Sequence, residues 1–503
     1  MAEPKQESKA RAVGTTSNTD PKDINTNITV QEQAIYFEPP VLFVYSKDEE
    51  ITPDAVLEFI NLHEGEKPRY KYLFDQYKGK HDILNQEVKS EYKPDNRHVV
   101  NVPKYQVDTF NGYFVGLPPK VTHGHDGIQK EIKRFNRLSH FADTLAEVSK
   151  LALIYGRSYI FQYQDEQART KCTYNSPMDM FVVYDDTVAQ EPLFAVRYSS
   201  TDDGYKGDLY TVEENYKIEP TKEGIKLVNG ETSGHFAELP ITEVILNEER
   251  MSLFEHILTL NRGYNKALSE KANEIDYFAD AYLLVAGAKL NDENIREIKR
   301  NRLINFYSSD GEMLKNLEVR FLEKPNADTS QENYLDRIEK LMFQMAMVIN
   351  INDDDFGNAS SGEALKYKLL NMSNLAASFE RKFQKALDKV YRLFFSTPTN
   401  FDRERTPDLP LEDDLRDEWI ELTYQFYRNL PKNLSEEAGI AGSLQGVVSK
   451  ETQLKVLSIV DDVKEEIQKI IDEEKGNSDD YGEGSIGDGE EIDILGEATD
   501  TTV

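Results

Sequence analysis

The fold is decided by residues 330–365, SQENYLDRIEKLMFQMAMVININDDDFGNASSGEAL. Apolar side chains recur here at spacings of three and four as far as Val348, which predicts a helix over 330–349. Residues 350–360 are acidic and turn-forming, and Ser360 with Glu363 forms a capping box, in which each side chain satisfies a backbone N–H at a helix start. The stretch therefore predicts two helices joined by an acidic turn.

The helix that begins at this capping box is predicted to be the longest in the chain. Its apolar residues step by fours and threes from Leu365 to Phe394, forming a narrow seam, and Pro398 ends it. Upstream, an apolar stripe from Leu253 to Phe278 predicts another helix, about 40 Å long at 1.5 Å per residue. A small module separates that helix from residue 330, with strands predicted at 282–288, 303–307 and 317–322 and a short helix near 291–299.

Residues 31–240 mix strand and helix patterns. Apolar or alternating segments predict strands at 41–45, 159–163, 180–184 and 193–198. Spacings of three and four predict helices at 53–63, 67–78 and 138–154. Hairpin turns are expected at Gly204, Gly207, Gly224 and Gly230. This part is predicted to be one α+β domain, and the chain as a whole is predicted to be α+β and predominantly helical.

The chain has 503 residues and a formal charge of −32, from 91 Asp and Glu against 59 Lys and Arg. Nine acidic residues, with no basic one, lie in a glycine-rich tail over 476–503, and residues 1–30 are balanced, so the body still carries −23. This sign of charge argues against tight DNA binding through a basic surface. The compositions of 1–34 and 476–503 predict a flexible arm and a disordered acidic tail.

Cysteine and hydrophobic content exclude further classes. The lone Cys172 cannot form an intramolecular disulfide or a cysteine-rich zinc module. The longest apolar run, 281–288, is too short to cross a membrane, and no signal peptide is evident. These features predict a soluble protein that is kept in a reducing cytoplasm.

Several patterns imitate active sites without their usual context. Residues 482–487 match G-x-G-x-x-G but lack a flanking strand and helix, and His123 with His125 lacks further metal ligands. The adjacent carboxylates of Asp185 and Asp186 are more often solvated than bound to Mg²⁺. No P-loop or nucleophile elbow occurs in the sequence. We therefore expect no catalytic residue, no cofactor and no metal, and the sequence favours a protein that is not an enzyme.

A series of short motifs lies in one order along residues 35–475. They are 101–104 (NVPK), 107–108 (VD), 112–113 (GY), 116–118 (GLP), 155–159 (YGRSY), 184–186 (YDD), 247–250 (NEER), 264–265 (YN), 272–273 (AN), 361–365 (SGEAL) and 449–452 (SKET). In this order, with the helical pattern between them, they resemble the portal proteins of tailed bacteriophages, particularly siphophages of Gram-positive hosts. Each motif is weak alone, but the shared order is hard to reach by chance.

The resemblance implies a ring of about twelve subunits at one capsid vertex of the virion, with a channel for double-stranded DNA. Its implied partners are the terminase large subunit, a head-tail adaptor, and the major capsid and scaffolding proteins, with no membrane; assembly would occur in the host bacterial cytoplasm. The implied regions are a wing at 35–250, stem helices at 251–278 and 330–349, a clip at 279–329, a tunnel loop at 350–360, a long wing helix with its connection at 361–433, and a crown at 434–475.

The resemblance also implies candidate site residues. The tunnel loop would present to the channel Asn350, Asn352, Asp353, Asp354, Asp355, Phe356 and Asn358. Stem residues that would contact DNA phosphates transiently are Lys266, Lys271, Arg337 and Lys340. An acidic lining repels phosphates and lets DNA slide. Narrow apolar seams on long helices also fit helices packed side by side in a ring. A solvated turn and exposed helix faces with paired charges stay open as plainer interpretations.

Two other classes of protein remain open from the residues alone. One is an acidic metal-dependent DNA-processing enzyme of phage origin, which would need convergent acids supported by Lys or His in a pocket. The other is a cytoskeletal or scaffold-like assembly protein that never meets DNA. Metal-dependent turnover on DNA would favour the first, and filaments or closed cores would favour the second.

Overall fold

The structure is a computed structural model. It describes residues 11–13, 40–89, 94–232, 236–279, 283–286, 318–321, 328–351, 366–410, 414–429, 434–457, 459–460 and 463–479. The chain divides into two compact units, Met1–Asn429 and Leu430–Val503. The first unit contains helices and sheets together, which confirms the predicted α+β class.

The elements of the first unit are as follows. Its strands are β1 Arg11–Val13, β2 Leu42–Tyr45, β3 Lys120–Thr122, β4 Arg157–Gln164, β5 Thr170–Asn175, β6 Met180–Asp185, β7 Pro192–Thr201, β8 Gly204–Tyr210, β9 Glu214–Thr221, β10 Gly224–Thr232, β11 Ile241–Ile245, β12 Leu283–Ala286, β13 Glu318–Phe321 and β14 Thr423–Gln425. Its α-helices are α1 Pro53–Tyr77, α2 Val102–Val115, α3 Asp126–Leu138, α4 Phe141–Tyr155, α5 Leu258–Ala279, α6 Asp328–Ala346 and α7 Leu370–Phe395. Short 3₁₀ helices lie at Asp82–Asn85, Glu255–Ile257, Pro398–Asn400 and Glu418–Glu421.

The largest sheet has seven strands in the order β1-β2-β6-β7-β8-β9-β10. Strands β2 and β6 run parallel, and the other neighbours run antiparallel. Gly204 and Gly224 have φ of 127° and 154° at the hairpin turns, as predicted. Gly207 and Gly230 lie inside β8 and β10, so their prediction as turn residues was wrong. Gly207 instead allows close strand packing, because a Cβ there would lie 2.1 Å from the carbonyl oxygen of Arg197.

The core covers both faces of this sheet. On β6, Phe181 and Val183 face α1, while Val182 and Tyr184 face a second sheet in the order β11-β4-β5. The alternation follows the period of two that a strand imposes. Because both faces are covered, all six residues of β6 are buried, and the strands predicted at 180–184 and 193–198 are confirmed in β6 and β7.

Helix α1 runs without a break where the sequence predicts two helices. Thr52 caps it by accepting from the Ala55 N–H at 3.2 Å, and the helix then passes through Pro68 to Tyr77. Pro68 removes one backbone hydrogen bond. Buried side chains before and after it, such as Phe59 and Leu73, anchor the helix on the core, so tertiary packing outweighs the local cost.

The apolar seam of α7 packs inside its own unit. Phe379 and Phe383 contact Phe114 of α2, with ring centroids 4.7 and 5.4 Å apart, and Phe394 contacts Phe135 of α3 at 4.7 Å. The predicted seam is confirmed over the described part of this helix. Its interpretation as a surface for packing between ring subunits was wrong for α7, since these residues are the core of one subunit.

Among the described helices of this unit, α5 and α6 lie side by side. Helix α5 begins at Leu258 rather than 251, because the preceding turn is a 3₁₀ helix at Glu255–Ile257. Strands β12 and β13 pair antiparallel within 279–329, with Leu283 opposite Phe321. The other elements predicted there, a helix near 291–299 and a strand at 303–307, lie outside the described residues.

Two further observations concern the ends of the chain. Residues Arg11–Val13 form an edge strand although the sequence predicts a flexible arm over 1–34. The second unit contains the helices α8 Leu434–Ser443, α9 Lys450–Lys455 and α10 Val463–Asp479 among its described residues, and α10 enters the range predicted as the acidic tail. Within the described ranges, no helix is both long and apolar enough to cross a membrane.

Candidate functional site

Three of the motifs meet in a buried group of charges. Arg157, from the motif at 155–159, is 2% exposed. Its Nη2 donates to Glu66 Oε2 and to the Tyr70 hydroxyl, both at 2.6 Å, and its Nη1 lies 3.7 Å from Glu243 Oε1. A buried guanidinium needs such partners, because an unpaired charge is very costly to remove from water.

The second carboxylate, Glu243, joins the other two motifs. It binds Arg250 in a bidentate pair, with Nε–Oε1 at 3.0 Å and Nη2–Oε2 at 2.9 Å, and it accepts from the Tyr184 hydroxyl at 2.5 Å. Burial alone would raise the pKa of Glu243, but the guanidinium groups of Arg250 and Arg157 lower the pKa to about 2. We call the set the ionic cluster: Glu66, Tyr70, Arg157, Tyr184, Glu243 and Arg250.

A glycine sets the geometry around this cluster. Gly156 ends α4 with φ of 89°, and its carbonyl oxygen accepts from the Leu246 N–H at 3.0 Å. A Cβ at this position would lie 1.9 Å from the carbonyl oxygen of Arg250. The chain that carries Arg250 can therefore approach α4 only because residue 156 has no side chain.

The ionic cluster reaches the start of α5 through Arg69. This side chain donates to Glu255 from Nε at 2.8 Å and from Nη2 at 2.5 Å, and Nη2 also lies 3.2 Å from the Arg250 carbonyl oxygen. Charged hydrogen bonds thus connect α1, the two sheets and the 3₁₀ turn that leads into α5.

Two further motifs, 264–265 and 272–273, contribute to a polar face on α5. The backbone N–H groups of Asn96, His98 and Val100 donate to Asn273 Oδ1 at 2.6 Å, Ser269 Oγ at 2.9 Å and Asn265 Oδ1 at 2.8 Å, respectively. Asn261 Nδ2 donates to the Val100 carbonyl oxygen at 3.0 Å. We call this array the polar ladder: Asn261, Asn265, Ser269 and Asn273, with residues 96–100.

The spacing of the polar ladder follows from helix and strand geometry. Its helical side chains recur every four residues, which is about 6 Å along α5. The extended chain offers an inward N–H every two residues, which is about 6.6 Å. Asn265 also donates from Nδ2 to His81 Nδ1 at 2.8 Å, and His81 Nε2 lies 3.1 Å from the Gln76 carbonyl oxygen. The ladder therefore fixes α5 to residues 94–101 and to the end of α1.

Replacing Asn265 by leucine is expected to lower the free energy of unfolding by about 2–4 kcal/mol, because the part-buried Val100 N–H and the buried His81 Nδ1 both lose their partner. Urea unfolding followed by circular dichroism measures the loss. Lys266→Leu is the matched control, since its side chain is exposed one residue further along the same helix. A loss below 0.5 kcal/mol in Asn265→Leu would contradict a stabilising role of the ladder.

The basic residues proposed from the sequence do not form one site. Lys271 pairs with Glu332 across the two helices, so it is engaged within the subunit. Lys266 on α5 and both Arg337 and Lys340 on α6 are exposed. The structure brings Lys271 to the α5–α6 contact and leaves the side chains of the other three exposed.

The predicted tunnel loop is described only at its beginning. Asn350 Nδ2 donates to Glu339 Oε1 at 3.0 Å, and the Ile351 N–H donates to the Tyr105 hydroxyl at 3.0 Å. These bonds attach the loop entrance to α6 and α2. The other predicted loop residues lie outside the described residues: Asn352, Asp353, Asp354, Asp355, Phe356 and Asn358. The capping box at Ser360 and Glu363 also lies outside them.

The patterns at His123 with His125 and at Asp185 have local structural partners, whereas the pattern at 482–487 lies outside the described residues. His123 Nε2 lies 3.0 Å from Glu418 Oε2, and His125 Nδ1 accepts from the Gly127 N–H at the start of α3. Asp185 Oδ1 accepts from the Thr187 N–H and hydroxyl in the β6–β7 turn. Across the described ranges, no group of three or more His, Cys, Asp or Glu side chains is arranged to hold a metal ion.

Sequence reasoning missed the two carboxylates of the ionic cluster. Glu243 had a signal, since it is a charged residue within the apolar strand pattern at 241–245. Glu66 had none, because it lies on the partly polar surface pattern of α1 and its partner Arg157 is 91 residues away. Arg157 and Arg250 belong to the motifs at 155–159 and 247–250, but their role as partners of buried carboxylates was not predicted.

Comparison with known proteins assigns the family. The model of the family described as phage portal protein, SPP1 Gp6-like, matches residues 57–480. The chain belongs to this family. The portal protein of Bacillus phage SPP1 is 26% identical over 477 residues, which cover 89% of each chain. The portal protein of Clostridium phage phiCD119 is 24% identical over 257 residues, which cover 49% of this chain and 52% of that protein.

Membership in this family confirms the resemblance to portal proteins, including those of phages that infect Gram-positive hosts. Portal proteins are structural components of the virion capsid, which confirms the prediction of a protein that is not an enzyme. The alternative of a metal-dependent enzyme is therefore not supported. The portal role also implies a homo-oligomeric ring with DNA, terminase and capsid proteins as partners.

Proposed function

We propose that about twelve copies of this chain close a ring whose stem lines the DNA channel, and that the ionic cluster and the polar ladder join each stem helix rigidly to its wing. The observation that carries this proposal is the attachment of α5 at two places. Its start is connected to the cluster through Glu255, and its length is held by the polar ladder. A force on the stem would then be transmitted to the wing, and a force on the wing to the stem.

The attachment of α5 to the α+β part supports an assignment of the chain to wing, stem, clip and crown. The wing comprises 35–250 with 361–433, since α7 packs into the core formed by the α+β part. Helices α5 and α6 are the stem, over the predicted ranges 251–278 and 330–349. The clip is 279–329, which contains the paired strands β12 and β13. The second unit supplies the crown at 434–475.

We also propose partners for these regions from the portal role of the family. The clip would bind the terminase large subunit during packaging and a head-tail adaptor afterwards, while the wing would contact the major capsid and scaffolding proteins. The ring would assemble in the host bacterial cytoplasm and remain at one capsid vertex. Electron microscopy of the purified protein, viewed along its axis, tests the ring; an exclusively monomeric protein at all salt and protein concentrations would contradict it.

The channel is proposed to let DNA slide with few attractive contacts. The body charge of −23 disfavours tight phosphate binding, because there is little net counterion release to drive it. Exposed Lys266 and Lys340 would make transient phosphate contacts, whereas Lys271 is already paired with Glu332. The tunnel loop at 350–360 would present Asp353, Asp354 and Asp355 to the duplex and keep it centred.

Changing Asp353, Asp354 and Asp355 together to asparagine is expected to reduce packaged DNA about tenfold or more, because the loop loses the charge that repels phosphates. DNA protected from nuclease in an in-vitro packaging reaction measures the effect. The control changes three acids elsewhere, Asp202→Asn, Asp203→Asn and Glu213→Gln, at exposed hairpin positions. Unchanged packaging and DNA retention would remove the loop from the mechanism.

A further inference from the structure

The α5–α6 helix pair has an open groove on one flank. It encloses about 400 Å³, and it is lined by His98, Tyr264, Leu268, Lys271, Ala272, Ile275, Glu332, Leu335 and Asp336. Ile275 is 62% exposed at its edge. The walls are apolar, and the rim on α6 carries Asp336 and also Glu332, which pairs with Lys271 of the same groove. The groove therefore suits an apolar side chain with a cation next to Asp336.

The opposite flank of α6 carries exposed apolar side chains. Tyr334 is 52% exposed and Met345 is 48% exposed. They are separated by about three helical turns and so lie on the same side of the helix. Arg337 is exposed on this side as well. Two large apolar side chains on one exposed side of a helix are available for contact with another chain.

The two flanks point away from each other. At about 100° per residue, Tyr334 and Asp336 lie about 160° apart around α6. Between them, Leu335, Ile338 and Met342 are buried at the contact with the rest of the subunit. A contact between two different surfaces on opposite sides of a subunit is what a closed ring requires.

We propose that the α5–α6 groove of one subunit receives the Tyr334 and Met345 flank of its neighbour, with Arg337 of that neighbour against Asp336. The inference rests on the ring proposed above and names the stem surfaces that close it. Charge supports the pairing, because the groove carries the carboxylates of Glu332 and Asp336 against the single ammonium of Lys271, and the inserted flank is basic at Arg337. It also removes Arg337 from the residues that face DNA, since its guanidinium would be occupied between subunits.

The test reverses the charge and then restores it. Arg337→Glu places like charges at every subunit contact and is expected to reduce the assembled fraction at least tenfold in sedimentation velocity and electron microscopy. Combining Asp336→Arg with Arg337→Glu is expected to restore rings, because both surfaces of the contact are on the same chain. Lys266→Glu is the control, with the same charge change on an exposed α5 position that does not line the groove. Circular dichroism checks that each variant is folded.

Cysteine crosslinking provides a second measurement. Chains with Ile275→Cys are mixed with chains carrying Tyr334→Cys, assembled and oxidised. Disulfide-linked pairs are expected in the mixture and not in either variant alone. The native Cys172 is buried, and burial raises the pKa of its thiol to about 12, so it will not compete in this reaction.

The outcomes separate this inference from the proposed ring. A wild-type protein that never forms rings defeats the ring proposal itself. Wild-type rings together with normal rings from Arg337→Glu overturn the groove assignment and leave the ring intact; reduced packaging in those rings would show that Arg337 faces DNA. A folded double variant that stays monomeric, or a mixture that gives no crosslink, also overturns the assignment.

Discussion

Replacing Arg157 by leucine is expected to lower the free energy of unfolding of the first unit by about 3–5 kcal/mol. The variant leaves Glu66 without the guanidinium that it contacts at 2.6 Å, and it removes one of the two cations near Glu243. Buried carboxylates without a partner must either protonate or draw water into the core, and both responses oppose folding. Urea unfolding followed by circular dichroism measures the loss.

A matched control separates burial from charge. Arg416 pairs with Asp414 at 2.8 Å, but its side chain is 68% exposed. Arg416→Leu is therefore expected to leave the urea unfolding midpoint essentially unchanged, because exposed ion pairs are weak. Equal losses in the two variants would contradict the special role of the ionic cluster. Adding Glu66→Gln to Arg157→Leu should recover part of the stability, since it removes the unpaired charge.

Arg157→Leu should also alter the dependence of the unfolding free energy on pH. The pKa of Glu243 falls from 4.5 to about 2 on folding, so the charged carboxylate stabilises the folded protein above pH 4.5. That contribution is lost as the pH falls from 4.5 toward 2. Without Arg157 the pKa of Glu243 should rise, and the contribution should be smaller at every pH where the carboxylate is charged. Unfolding curves between pH 2 and pH 7 compare the two proteins.

The sequence predicts elements well where one period dominates. The strands at 180–184 and 193–198 and the helix over 330–349 are found within a few residues, because their apolar residues repeat at strand or helix spacing. Helices α2 and α3 were missed. Asn101 and Pro103 are helix-start signals at α2, but glycines at 112 and 116 weaken the helical pattern that follows.

The sequence cannot show what covers an apolar face. The seam of α7 was interpreted as a contact between subunits, yet Phe379 and Phe383 pack on Phe114 of the same chain. Conversely, Met345 belongs to the apolar spacing that predicts α6, yet its side chain is 48% exposed, on the same side of the helix as Tyr334. Which face meets the core depends on contacts between distant segments, and these are set by tertiary structure.

The candidate site was predicted only in part. The motifs at 155–159, 184–186 and 247–250 were found as markers of the family, and the structure gathers them around Glu243. Their physical role depends on Glu66, which no motif contains. Of the basic residues assigned to the channel, Lys271 is paired with Glu332 inside the subunit. The sequence could not predict this pair, because the pattern of one helix does not show which acid lies next to it on another helix.

Replacing Gly156 by alanine is expected to cost at least about 3 kcal/mol, in part because a residue with a Cβ pays about 1–2 kcal/mol to adopt a left-handed backbone. The φ of 89° imposes that cost, and the steric cost is larger, since the new Cβ would lie 1.9 Å from the carbonyl oxygen of Arg250. Soluble yield and urea unfolding measure the effect. Gly65→Ala is the control, because this position is helical with nothing within 4 Å of a new Cβ and should gain about 0.5–1 kcal/mol.

The effect of Gly156→Ala should extend beyond its own turn. To relieve the overlap, the chain at 250–251 must move, and that movement takes Arg250 away from Glu243 and disturbs the bond from Arg69 to the Arg250 carbonyl oxygen. Arg69 also holds Glu255 immediately before α5, so the stem helix would lose its connection to the wing. Rings of a soluble Gly156→Ala protein should therefore be fewer or irregular in electron micrographs. If the variant loses only the 1–2 kcal/mol of backbone strain and forms normal rings, the loop is compliant and the cluster does not set the position of the stem.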